Sequence, residues 1–213
     1  MISATITIAV AADNDPPTLD AISDLPLDED AGQQTVALSG ITTGGETQTL
    51  TVTAVSTNTA LIPVPTVVYT SPDSTGSLLF MPVADEFGTA VLEVSVTEGL
   101  STTVRSFEVT VASVNDAPSL TLGDDVVVNK GDGAQALSAW ASDFSVGPAN
   151  ESGQALTLTL TADNPALFAV QPALDKVSGD LSFTPYIAAS GSTEVTVILR
   201  DDGGTPNGGE DTF

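Results

Sequence analysis

Along most of the chain, apolar residues alternate with small polar ones. LTVTAV (50–55), LLFMP (78–82), AVLEVSV (90–96) and FEVTVASV (107–114) carry Leu, Val or Phe between Thr, Ser or Glu. A period of two turns one face of a strand to a core and the other to water. Such stretches recur roughly every ten residues, separated by Gly, Pro, Asn and Asp, the residues that close turns. No long stretch has helical spacing with caps. About seven short strands per ~100 residues, without β–α alternation, predict an all-β chain of antiparallel sandwiches of the immunoglobulin type. Phe80 and Phe183, each before a turn proline region, are expected in the core, and Trp140 in core or edge packing.

The pattern is written twice. DNDPPTL (13–19) returns as VNDAPSL (114–120), QTLTVTA (48–54) as QALTLTLTA (154–162), and NTALI (58–62) as NPALF (164–168). GSLLFMP (76–82) returns as GDLSFTP (179–185), and FGTAVLEVSVTEG (87–99) as SGSTEVTVILRDDG (190–203). Five ordered matches at offsets of 101 to 106 are the mark of two copies of one unit. The expected organisation is a closing strand of a preceding repeat, or a donor strand, at 1–12; a first sandwich at 13–115; and a second at 116–213 without its last strand. ATITIAVAA (4–12) aligns with RSFEVTVAS (105–113), while Phe213 aligns with Phe107, where the last strand of the second copy begins. The chain therefore reads as a segment of a longer secreted protein. A sharper alternative has strand 2–12 filling the open slot of the second copy in another molecule, by addition to a sheet edge.

Charge narrows the partners. Four Lys and Arg residues face 28 Asp and Glu, for a net charge of −24. A phosphate backbone or an anionic membrane surface would be repelled, so nucleic acid is excluded as a partner and divalent cations are the natural counter-charge. The absence of His and Cys removes disulfides, thiolate chemistry, zinc sites and His-based acid–base catalysis. MISATITIAV has no basic start and no unbroken apolar run, so it does not read as a signal peptide, and no apolar stretch long enough to span a membrane follows. No G-x-S-x-G, H-E-x-x-H or phosphate-binding loop occurs, and one Trp and two Tyr offer little to line a sugar cleft. The expectation is that the chain is not an enzyme.

VNDAPSL, LDEDAGQQTVALSG (27–40) and RDDGGTPNGGEDTF (200–213) resemble the cadherin-like and immunoglobulin-like tandem repeats of giant bacterial surface proteins and adhesins. The resemblance covers nearly the whole chain. It implies an extracellular, elongated module stiffened by Ca2+, with neighbouring repeats of the same protein as its partners. It also implies where calcium sits. The first repeat would supply Glu29 or Asp30 and the pair Asp85–Glu86, the linker Asn115 and Asp116, and the second repeat Asp143 and Asp201 or Asp202. The family's Asp-x-Glu pair lacks its spacer at 85–86, and a single Asp stands at 143, so one or two ions are expected. Pro118 fixes the backbone after the linker carboxylate and keeps it aimed. The earlier junction, with Asp13, Asn14, Asp15 and Glu98, is poorer, because ITTGGE (41–46) has no counterpart of Asp143.

The leading expectation is a structural and adhesion module, a calcium-stiffened spacer of a large cell-surface protein. One alternative is a filament subunit that polymerises head to tail by donating residues 2–12. Another is a glycan- or protein-binding module acting through the polar loops SPDSTG (71–76) and SVGPANESG (145–153).

Overall fold

The computed structural model describes residues 3, 5–9, 14–45 and 47–213, and it divides into two compact units, 1–113 and 114–213. The strand expected over 1–12 lies partly outside the described residues. Within it, Ser3 and Thr5–Ala9 belong to no strand, and Ile6 and Ile8 are exposed at 84% and 80%.

Among the described residues, unit 1 holds seven strands: β1 (Leu25–Asp28), β2 (Gln34–Leu38), β3 (Thr51–Ser56), β4 (Thr66–Val68), β5 (Gly76–Phe80), β6 (Gly88–Glu98) and β7 (Ser101–Ala112). They form two sheets, β1-β7-β6-β3 and β2-β5-β4. The sheets are antiparallel except where β1 runs parallel to β7, Leu25 beside Val109 and Asp28 beside Ala112. Alternation alone predicts a strand but not its direction, so this pair was not visible in the pattern. The alternation does set the faces. In β6, Ala90, Leu92, Val94 and Val96 are buried, while Thr89 and Glu93 reach solvent. Across the hairpin, Phe107 lies opposite Leu92 and Val109 opposite Ala90, and both are buried. Leu38, Leu78 and Phe80 of the facing sheet complete one continuous core.

Unit 2 holds β8 (Ser119–Thr121), β9 (Gln135–Leu137), β10 (Ser142–Ser145), β11 (Thr157–Ala162), β12 (Phe168–Leu174), β13 (Leu181–Pro185) and β14 (Val195–Arg200). Its sheets are β12-β13-β9, β11-β14 and β10-β8, all antiparallel. Phe183 is buried and meets Phe168 edge-to-face at 5.8 Å. Trp140 packs against the Leu120, Ala141 and Leu199 cluster and donates its indole N–H to Asp124 O at 2.9 Å.

The copies differ along one edge. β14 matches β6, with Leu199 as deeply buried as Val96. In unit 1, β7 covers the next inward residues. In unit 2 the chain begins the same pairing, with Thr212 opposite Arg200 and Phe213 N–H donating to Leu199 O at 2.9 Å. Beyond that point Val195 and Val197 are only half-buried, whereas Leu92 and Val94 are sealed. In this register Thr212 corresponds to Thr102, whose partner is Thr97, so Phe213 stands at the position of Thr103 rather than that of Phe107.

Candidate cation-binding site

Each unit holds part of the expected ligand set. In unit 1, Glu29 follows β1, in the turn, and is buried. Its N–H donates to Ala112 O at 2.8 Å, and Ser113 Oγ donates to its Oε1 at 3.3 Å. Asp30 and Asp85 both take positive φ, 60° and 59°, in turns that Asp tolerates better than most residues. The two turns are tied together by Asp85 N–H donating to Asp30 Oδ1 at 3.1 Å, and their carboxylate oxygens approach within 4.8 Å. Two unit charges 4 Å apart repel by roughly 1 kcal/mol in water. Glu86, beside them, is exposed.

In unit 2 the linker residues enter a polar network. Asn115 Nδ2 donates to Asp201 Oδ1 at 3.0 Å and to Glu210 O at 2.6 Å, while Glu210 N–H donates to Asn115 O at 2.8 Å. Gln154 Nε2 donates to Asn115 Oδ1 at 2.7 Å. Asp116 N–H donates to Glu151 Oε1 at 2.9 Å, and Gly203 N–H to Asp201 Oδ1 at 3.0 Å. Glu151 and Asp201 are 5% and 4% exposed. Burying ionised groups is costly unless they are paired. Yet Asp201 Oδ2 and Gln154 Oε1 are buried and accept no hydrogen bond. Orphaned acceptors beside buried carboxylates, in a donor set made only of oxygen, suit a hard divalent cation.

Two glycines make room for this network. A Cβ on Gly147, whose φ is +140°, would meet Glu151 Oε2 at 1.9 Å and Asp116 Cβ at 3.6 Å. A Cβ on Gly203 would meet Asn115 Oδ1 at 1.6 Å. Both must stay free of side chains for the polar groups to close around Asn115.

Not every expected ligand joins. Asp143 takes positive φ on β10, and its Oδ2 accepts from Ser142 Oγ at 2.8 Å, on the wall of a cleft shared with Lys176 and Phe144. Asp202 is exposed, and its Oδ1 accepts from Ala155 N–H at 2.7 Å, closing a loop. Sequence reasoning missed Glu151 and Gln154. Gln154 had a signal: the repeat carries Gln48 at the matching place, three residues before the matching strand. Gln48 Nε2 donates to Asn14 Oδ1 at 2.8 Å, as Gln154 does to Asn115, and Glu98, fully buried, stands where Asp201 does. The two copies thus repeat a linker asparagine, a glutamine that donates to it and a buried acid at the end of the β6-type strand.

Neither a family model nor a curated protein matches the sequence. Among solved structures, the chain is similar to the titin domains Z1Z2 in complex with telethonin, at 12% identity and a TM-score of 0.41 over 89% of this chain and 90% of that one. It is similar to the Ig1-2 module of the Drosophila receptor protein tyrosine phosphatase DLAR, at 12% identity and 0.34, covering 93% and 95%. An endo-fucoidan hydrolase from glycoside hydrolase family 107 matches at 19% identity and 0.35, covering all of this chain but 29% of the enzyme. The fold rests on the strand pairing itself.

Proposed function

We propose that the chain is a non-enzymatic, extracellular structural module, a tandem-repeat spacer of a large cell-surface protein, and that it binds Ca2+. The observation that carries the calcium reading is Asp201 Oδ2, a carboxylate oxygen in a residue 4% exposed, with no hydrogen-bond donor. Asp201 would hold the ion, with the amide oxygen of Gln154, whose Nε2 donates to the same Asn115, as a further oxygen ligand. Bound calcium would neutralise Asp201 and hold the Asn115 network closed. In unit 1, the paired carboxylates of Asp30 and Asp85 offer a second, more exposed group of oxygens. Two sandwiches written from one pattern, without a nucleophile or a base motif, support the structural reading over catalysis.

The test is calorimetric titration of the whole chain with CaCl2. Extracellular modules bind calcium at roughly 10⁻⁴–10⁻³ M. Heat of binding in that range, weakened by Asp201→Asn, is expected. No heat at millimolar calcium, with melting unchanged by a chelator, would overturn the reading.

A further inference from the structure

We propose that the cleft beside β10 in unit 2 is a binding site for a neutral sugar, recognised through a pair of neighbouring hydroxyls and the apolar face of its ring. No residue of the Asn115 network takes part, so the site is independent of calcium and of the spacer reading. The cleft offers about 430 Å³ between the segment entering β10 and the turn from Lys176 to Gly179, before β13. Small-molecule sites run from about 300 to 1,000 Å³. Its walls carry the polar side chains of Asp143, Lys176, Ser142 and Ser178 and the apolar ones of Phe144 and Val177. Asp143 Oδ2 accepts from Ser142 Oγ at 2.8 Å, while its Oδ1 accepts no hydrogen bond among the described residues and is open to a ligand's hydroxyls. The Lys176 ammonium donates to Leu156 O, which holds it in place with further N–H groups left over.

Both walls are fixed before a ligand arrives. Asp175 Oδ1 accepts from Val177 N–H at 2.7 Å and from Ser178 N–H at 2.9 Å, and Gly179 N–H donates to Asp175 O at 2.8 Å. Ala141 N–H donates to Gly179 O at 3.0 Å and ties this turn to the opposite wall. A Cβ on Gly179 would meet Ala141 O at 2.0 Å, so the walls join as closely as backbone allows. Ala139 and Asp143 hold positive φ, 50° and 56°, a strained backbone that persists only where its surroundings enforce it. A preformed site loses little freedom on binding. Charge and chemistry then choose the ligand. A net charge of −24 repels anions, the Lys176 ammonium deters a cation, and Lys176 and Asp143 together leave the cleft neutral. A carboxylate accepts from adjacent hydroxyls and an ammonium donates to them, while Phe144 and Val177, the latter 91% exposed, cover the C–H face of a ring. Unit 1 supplies a built-in comparison. Its cleft of about 400 Å³ lies at the matching place, between the loop after β2 and the turn before β5, with Thr42, Thr47 and Ser74 on its walls and no charged group among the described residues.

Amide NMR spectra of the whole chain test this, titrated to tens of millimolar with the methyl glycosides of mannose, galactose and glucose and, separately, with glucuronate. Chelator in every sample keeps any binding apart from calcium. The expected result is that one or more of the neutral glycosides shifts the amides of Ala141–Phe144 and Lys176–Gly179 to saturation and leaves those of Ile41–Thr43 and Ser74 in place. Asp143→Asn keeps a residue that tolerates positive φ, so the unit should fold as before while binding weakens by about tenfold. Lys176→Met should weaken it too. No shift with any of the three neutral glycosides overturns the proposal. So do equal shifts at the unit 1 cleft, binding unchanged in Asp143→Asn, or tighter binding of glucuronate, which would assign the cleft to an acidic ligand.

Discussion

Replacing Asp201 by Asn should change stability in opposite directions with and without calcium. Asp201 Oδ1 accepts from Asn115 Nδ2 and Gly203 N–H, both at 3.0 Å, and asparagine keeps that acceptor. At the Oδ2 position, buried and without a donor, the substitution exchanges a charged oxygen for a neutral amide. A buried acceptor left unsatisfied costs about 1–3 kcal/mol, more when charged. In chelator, Asp201→Asn therefore leaves unit 2 as stable as the parent or raises its stability by up to about that amount. With calcium at ~10 mM and a dissociation constant of 10⁻⁴–10⁻³ M, the parent gains about 1.4–2.7 kcal/mol that the variant forgoes. For a unit of this size, each kcal/mol moves the midpoint by roughly 4–8 °C. Trp140, the only tryptophan, lies in unit 2 and packs on its core, so its fluorescence follows that unit alone. The expected outcome is a crossing: the variant melts at or above the parent in chelator and below it in calcium. A variant that loses stability equally under both conditions would refute the reasoning, since Asp201 would then be an ordinary buried hydrogen-bond acceptor.

Other outcomes follow from packing and from the turns. Phe107→Ala removes a ring 2% exposed between the sheets of unit 1 and should cost about 3–5 kcal/mol in denaturant unfolding followed by circular dichroism. Ile6→Ala, at the matching place in the repeat but exposed, should fall within about 0.5 kcal/mol. Backbone N–H groups of Ser178 and Val177 hold the Asp175 carboxyl below the usual Asp range. A lowered folded pKa means that the turn is supported above the ordinary Asp value and loosens as the pH falls through the lowered one. Amide exchange at Val177 and Ser178, corrected for its intrinsic pH dependence, should show protection lost only in that acid range.

The strands were legible because period-two alternation states both the element and its face. The repeat was legible because five segments return in order. The parallel pairing of β1 with β7 was not, since LPLD reads alike in either direction and only the packed sheet chooses. The site was half-legible. Asn115, Asp116 and Asp201 stand in conspicuous motifs, and the fold draws all three into the Asn115 network. Glu151 sits in SVGPANESG, a stretch whose polarity reads as solvated loop, yet a turn around Gly147 carries its side chain inward. Asp143 and Asp202 look equally suited on paper, but a side chain's direction depends on local φ and on nearby donors. Ser142 claims one and Ala155 the other.

The most direct measurement is a crystal structure grown in millimolar calcium, with anomalous data collected to locate the ion. The account predicts a peak bonded to Asp201 Oδ2, at about 2.3–2.6 Å. A well-ordered Asp201 whose Oδ2 accepts from water or from a protein N–H, with no peak beside it, would contradict the account.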